Sequence, residues 1–152
     1  MNLNDDYPGL SGLEQLRAMI ASGGRPPIAA TLDFRLVEVE ERRAVFVGTP
    51  GPHAYNPLGA IHGGYAATLL DSACGCAVHA SLAADQAYTT LELKVTYLRG
   101  LTRDTGPVRA EGIALSVGKR VAFSEGKLFD GAGRLCASAS STLLVFARKP
   151  AI

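Results

Sequence analysis

Between His62 and Ala84 the chain carries one full charge at neutral pH, Asp71, within a run of small and apolar residues. Tyr65, Ala66, Ala67, Leu69, Leu70, Ala73, Cys74, Cys76, Ala77 and Val78 leave no polar face wide enough for an ordinary surface helix. The spacing predicts a helix of about 20 residues, roughly 30 Å at 1.5 Å per residue, covered on every side. In a chain of 152 residues, a strongly curved antiparallel sheet of five or six strands could provide that cover. A carboxylate inside such a helix is costly to desolvate, so Asp71 is a candidate for function rather than for packing. Asp71, Ser72, His79 and the many alanines keep the segment only mildly hydrophobic, and no Lys or Arg flanks it closely. A buried helix of a soluble domain fits better than a membrane span.

The helix is entered through Asn56-Pro-Leu-Gly-Ala-Ile-His62-Gly63-Gly64, a polar turn bearing glycines. Gly63 and Gly64 fall in the first helical turn, where unpaired N–H groups meet the positive end of the helix dipole. Without a Cβ, a ligand atom can approach that backbone, and a carbonyl oxygen seated there would be polarised. The competing role for the two glycines is a tight helix start against a sheet. Asp71 lies nine residues after His62, about 900° of rotation and about 13 Å along the axis. On that count the turn and the carboxylate face opposite ways within one chain, and a two-fold dimer would be needed to join them. The rival role for Asp71 is a hydrogen-bonded residue that sets the register of an interface.

The remaining elements follow from period and breakers. Ser11-Gly-Leu-Glu14 has capping-box spacing, and Leu13, Leu16, Met19 and Ile20 follow at helical intervals. A short helix from about 11 to 22, stopped by Gly23-Gly24 and Pro26-Pro27, is expected as a lid on a sheet edge. The period then changes to two, giving a strand after Thr31, a charged turn at 38–43 and a second strand over 44–47. Gly48 to Pro57 reads as an irregular loop. After the long helix come strands at 88–97, with Leu91, Leu93, Val95 and Tyr97 on one face, then at 108–115, 120–129 and 135–146. Their short connections predict an antiparallel meander. The fold class is therefore α+β: a curved antiparallel sheet of five to six strands around one long helix. Residues 1–29 form the N-terminal helix and linker, and 30–152 the main domain.

A formal charge of +1 and 19% charged residues supply no field for nucleic acid or an anionic membrane. Three cysteines, with Cys74 and Cys76 two apart in an apolar helix, form neither a disulfide framework nor a metal pair. With a polar, acidic start and no secretory pattern, a cytoplasmic location is expected. His53 and His79 read as packing or surface residues, and no metal is expected. Neither a serine-nucleophile pattern nor a glycine-rich nucleotide loop is present.

Asn56-x-x-Gly59-x-x-His62-Gly63-Gly64, then Asp71, then Thr90-Leu-Glu-Leu-Lys-Val-Thr-Tyr97-Leu, resembles the hotdog-fold acyl-CoA thioesterases of the PaaI (phenylacetate-degradation) type, within the wider 4-hydroxybenzoyl-CoA thioesterase superfamily. The likeness spans about residues 30–146. It implies an oxyanion-hole glycine at Gly63, with Gly64 beside the substrate. It further implies a water- or thioester-positioning asparagine at Asn56 and an acidic catalytic residue at Asp71. A hydroxyl that orients water falls on Thr90, with Thr89 the alternative one residue away. His62 matches the histidine that orients the turn. Lys119 and Arg120, after Gly118, stand where such proteins bring positive charge to the CoA phosphates, although an exposed Lys-Arg pair is also ordinary surface. The resemblance implies hydrolysis of an aryl- or medium-chain acyl-CoA by a homodimer, or a homotetramer built as a dimer of dimers, with no cofactor. The alternatives are a hydratase or dehydratase of the same fold and an acyl-CoA-binding domain without activity.

Overall fold

A computed structural model describes residues 1–148. Four α-helices, α1 (Leu3–Asp6), α2 (Gly12–Ala21), α3 (Pro27–Thr31) and α4 (Gly63–His79), accompany six strands: β1 (Phe34–Glu40), β2 (Arg43–Gly48), β3 (Gln86–Tyr97), β4 (Val108–Val117), β5 (Val121–Phe129) and β6 (Leu135–Ala147). The strands form one antiparallel sheet in the order β1-β2-β4-β5-β6-β3, and α4 packs against all six of them. This is the α+β hotdog arrangement anticipated above, with the strand count at its upper value.

The sheet and helix meet closely because β4 and β5 place glycines directly opposite one another. Gly112 pairs with Gly126 in the register, and a Cβ on Gly112 would fall on the Ala73 carbonyl. A Cβ on Gly126 would press on the ends of Leu70 and Cys74 and touch the Glu111 carbonyl at an ordinary contact distance. The two positions make a notch in which the backbone of α4 is seated. Leu69, Leu70, Ala73, Cys74, Ala77 and Val78 are fully buried there against Phe46, Ala110, Leu128 and Leu143. On the outer face, Arg43 pairs with Glu38 and Glu111, and Arg109 with Glu111. Those guanidinium groups hold the Glu111 carboxyl below its usual range, chiefly through the Arg43 hydrogen bond.

Helix α2 forms as its cap predicts. The Ser11 N–H donates to Glu14 Oε2 at 2.8 Å, and Ser11 Oγ accepts from the Glu14 N–H. Leu16 and Met19 are buried against β1, and the Gly12 N–H donates to the Leu82 carbonyl. His79 Nε2 and Gln15 Oε1 are 2.9 Å apart in the interior, so the N-terminal segment is fastened to the end of α4. His79 is thus a packing residue.

Several expectations are corrected. Helix α4 has 17 residues rather than about 20, because the chain after His79 turns back through Ser81 and Leu82 toward β3. The last four strands are not a simple meander: β4, β5 and β6 are, but β3 crosses over to pair with β6 and becomes an edge. Leu91 does not share a face with Leu93 and Val95. A bulge between Thr90 and Glu92 makes Leu91 the unpaired residue and turns it to solvent. Helices α1 and α3 had no counterpart in the sequence reading, although α3 opens on Pro27 at its first position, where a missing N–H costs nothing.

Helix α4 is also not covered all round. Gly64 is exposed, and Ala67, Thr68, Asp71 and Ser72 are half-buried. They form one open stripe running beside the free edge of β3.

Candidate active site

The loop before α4 is pinned at several points. The His62 N–H donates to the Ala54 carbonyl at 2.8 Å and the Ile61 N–H to the Leu101 carbonyl at 3.1 Å. Asn56 shapes the bend itself. Its Oδ1 accepts from the Leu58 N–H at 2.9 Å and the Ala60 N–H at 3.1 Å. That identifies the oxygen and leaves the Asn56 NH₂ as the group able to meet a substrate or water.

His62 is the N-cap of α4. Its Nδ1 accepts from the Gly64 N–H at 2.8 Å, so the neutral ring carries its proton on Nε2. The Tyr65 N–H donates to the His62 carbonyl. The Gly63 N–H has no hydrogen-bond partner among the described residues, and it sits at the positive end of a 17-residue helix. Beside it is a cavity of about 170 Å³ with mostly apolar walls, including Ile61, Ala66, Leu101 and Leu128, and with Arg99 also lining it. Tyr97, at the end of β3, forms another wall and donates its hydroxyl hydrogen to the Gly63 carbonyl at 2.8 Å.

Two turns further along α4, the half-buried Asp71 accepts from Thr90 Oγ1 at 3.0 Å through Oδ1. Its Oδ2 makes no hydrogen bond among the described residues. Of the two candidate threonines, Thr90 reaches the carboxylate, while Thr89 is exposed and does not. Nearby, burial pushes the half-buried Cys76 thiol up to about 12, with a smaller push from the Asp71 charge.

Asp71 and the glycine turn lie about 12 Å apart along the helix axis, eight residues at 1.5 Å each, and do not meet in one chain. The angular expectation needs correcting. Counted from Gly64, Asp71 is seven residues on, about two turns, and both lie on the open stripe. Their separation is one of length, not of facing. Lys119 and Arg120 are exposed in the β4–β5 turn and make no ion pair among the described residues. The register Val121–Leu144–Thr89 puts that turn at the Thr89 end of the sheet, away from Gly63. His53 is exposed, near the Leu32 carbonyl, and no cluster of metal-binding side chains occurs among the described residues.

The sequence places Tyr97 on one strand face with Leu91, Leu93 and Val95 and within the stretch Thr90–Leu98 that carries the resemblance, but assigns it no role at the site. Its place at the end of the alternating run, where the strand leaves the core, was the available signal.

The thioesterase superfamily model matches residues 58–137, more than half of the chain. The chain belongs to the thioesterase superfamily. The match takes in Gly63, Asp71 and Thr90 and begins two residues after Asn56. Among solved structures, a thioesterase family protein from Silicibacter pomeroyi superposes with a TM-score of 0.78 at 23% identity, covering 90% of this chain and 99% of that one. The phenylacetic acid degradation protein PaaI of Thermus thermophilus, in a mutant form, gives 0.71 at 22% identity over 78% and 98%. A Streptococcus mutans protein solved with bound acetyl-CoA gives 0.69 at 22% over 77% and 92%. At these identities the structures establish a shared fold. No curated protein matches this thioesterase-superfamily chain, and none of its described helices is long and apolar enough to cross a membrane.

Proposed function

We propose that this chain is an acyl-CoA thioesterase whose active sites are each built from two copies. One observation carries the reading: Gly64, next to the free Gly63 N–H, and the Thr90-held Asp71 lie on one open helix stripe, two turns apart, beside an unpaired strand edge. An antiparallel pairing of two α4 helices centred near Thr68 brings position 71 or 72 of one copy beside position 64 or 65 of the other. Two equivalent sites result from one two-fold axis. Strand β3, 12 residues long with an open edge, gives the same pairing a second seam. Exposed Ile113, Leu115 and Phe123 on the outer sheet face would allow two such dimers to stack as a homotetramer.

In this site the thioester carbonyl oxygen accepts from the Gly63 N–H, and negative charge developing on it is stabilised at the helix N-terminus. The Asn56 NH₂ donates to the thioester or to the attacking water. Asp71 of the second copy, oriented by Thr90, removes a proton from water as its oxygen bonds to the carbonyl carbon, or attacks that carbon itself. The C–S bond breaks and the thiolate leaves, taking up the proton that Asp71 drew from water or, where Asp71 itself attacked, one from solvent. In that second case water then cleaves the acyl–Asp71 anhydride, releasing the acid and restoring the carboxylate. The cavity beside Gly63 suits a ring or a short chain, since an apolar cavity of about 150 Å³ accommodates benzene. This supports an aryl or medium-chain acyl group. Lys119 and Arg120, at the Thr89 end of the sheet, would serve the CoA phosphates of the site that receives their own chain's Asp71.

The test is thiol release over a panel of acyl-CoAs, with Asp71→Asn as the variant. Loss of a positioned base or nucleophile lowers kcat by about 100-fold or more while the dimer mass in solution stays unchanged. Full activity in Asp71→Asn, or an active monomer, would eliminate the proposal. Hydration of an unsaturated acyl group without thiol release would indicate the lyase alternative, and binding without turnover a sensing domain.

A further inference from the structure

We infer that Tyr97 is a positioning residue for the thioester carbonyl, acting by clamping the Gly63–Gly64 peptide together with His62; this rests on the thioesterase reading above. The clamp is visible in two hydrogen bonds to one peptide plane. Tyr97 Oη donates to the Gly63 carbonyl at 2.8 Å, and His62 Nδ1 accepts from the Gly64 N–H at 2.8 Å. The carbonyl of residue 63 and the N–H of residue 64 belong to the same rigid unit, so that unit is held at both ends.

Such a clamp answers a specific weakness. Two consecutive glycines are the most mobile pair a chain can place at a helix start. The Gly63 N–H, which would face the substrate oxygen, is attached to the held plane through the two soft torsions of Gly63. Fixing the plane limits where that N–H points, and an N–H aimed in advance is worth more to a transition state than one that must reorganise. The Tyr97 ring also occupies the space a side chain at position 63 would need. A Cβ there would lie 3.2 Å from the Tyr97 ring and hydroxyl. Gly63 and Tyr97 are thus fitted to each other, and the tyrosine reaches the helix from the last residue of the edge strand β3.

Tyr97→Phe keeps the ring and removes the hydroxyl. The expected result is a fall in kcat of about 10-fold with KM within about 2-fold, because the bond aims a group used mainly in the transition state. Gly63→Ala displaces the same ring, so Gly63→Ala/Tyr97→Phe should be little worse than either single variant, a non-additive pair. Amide hydrogen exchange reads the clamp without turnover. The Gly64 N–H should exchange about 10-fold faster in Tyr97→Phe, while Leu69 and Leu70 keep their protection. Unchanged Gly64 exchange overturns the clamp, and faster exchange with unchanged kcat overturns its role in positioning. If the wild-type protein releases thiol from no acyl-CoA, the thioesterase reading fails, and with it the positioning role, whatever the exchange data show.

Discussion

Replacing Gly112 with alanine tests whether the long helix is seated as closely as the sheet glycines indicate. The new methyl group would fall on the Ala73 carbonyl and lie 2.7 Å from the Cys74 nitrogen. These are backbone atoms in mid-helix, with no rotamer to adjust, so the whole of α4 must lift away from β4. Overpacking of this kind costs about 1–3 kcal/mol, and collision with backbone places it near the upper end. Alanine returns about 0.5–1 kcal/mol by restricting the unfolded chain, which leaves a net loss of about 2 kcal/mol. For a chain of this size that lowers Tm by about 4–8 °C. Gly126→Ala is the control at the paired position. Its methyl would meet Leu70 Cδ2 at 3.0 Å and Cys74 Sγ at 3.1 Å, both side-chain ends that can yield. There the cost of about 1 kcal/mol is nearly offset, and Tm should stay within about 2 °C. Thermal and urea unfolding of the two variants side by side provide the assay. Equal stability of Gly112→Ala and Gly126→Ala would refute the seating, and normal kcat in folded Gly112→Ala would show that Asp71, two residues from the contact, tolerates the shift.

Thr90→Val removes the donor to Asp71 with little change in shape; steady-state kinetics should show kcat down about 10-fold, equivalent to about 1.4 kcal/mol, and wild-type kinetics would release Thr90 from the site. His62→Ser supplies another capping oxygen and should keep most activity, whereas His62→Ala should lose about 1 kcal/mol of stability and activity with it. Equal activity losses in the two variants, with the cap's stability retained in His62→Ser, would instead make the imidazole a base. Burial, and then the Arg148 charge, lower His79 from its usual value to about 4. The unfolded chain therefore binds more protons between about pH 6.5 and pH 4. The stability linked to neutral His79 is complete above that window and is lost as pH falls through it, up to about 3 kcal/mol. In His79→Gln, urea midpoints at pH 7 and pH 4.5 should lie closer together than in wild type, and an unchanged gap would contradict the assignment.

Much of the fold could be read because local patterns were unambiguous: the uncharged run at 63–79, broken only by Asp71, the alternation in the strands and the capping box at Ser11. The partner of β3 was not readable, since antiparallel neighbours are chosen by non-local packing, and the loop at 98–107 is long enough to cross the sheet. The bulge at Leu91 was equally hidden, because an apolar residue in a regular alternation gives no sign of being skipped. The open stripe escaped for another reason. Gly64, Ala67, Thr68 and Ser72 are small, and small residues look buried whether a sheet or a second helix is to cover them. At the site, residue types gave the glycine turn and Asp71. They could not show that the Asn56 oxygen is consumed by its own loop, or that Tyr97 reaches back to Gly63 from another element.

Placing the acid and the glycine bend eight residues apart on the same rigid rod has a genetic consequence. Each copy would lend its carboxylate to one catalytic centre and its bend to the other, so an Asp71 lesion and a Gly63 lesion carried on different chains fall together in one centre and spare the second. Mixing the two inactive proteins under conditions where subunits exchange should restore turnover, approaching half the normal rate in each hybrid pair.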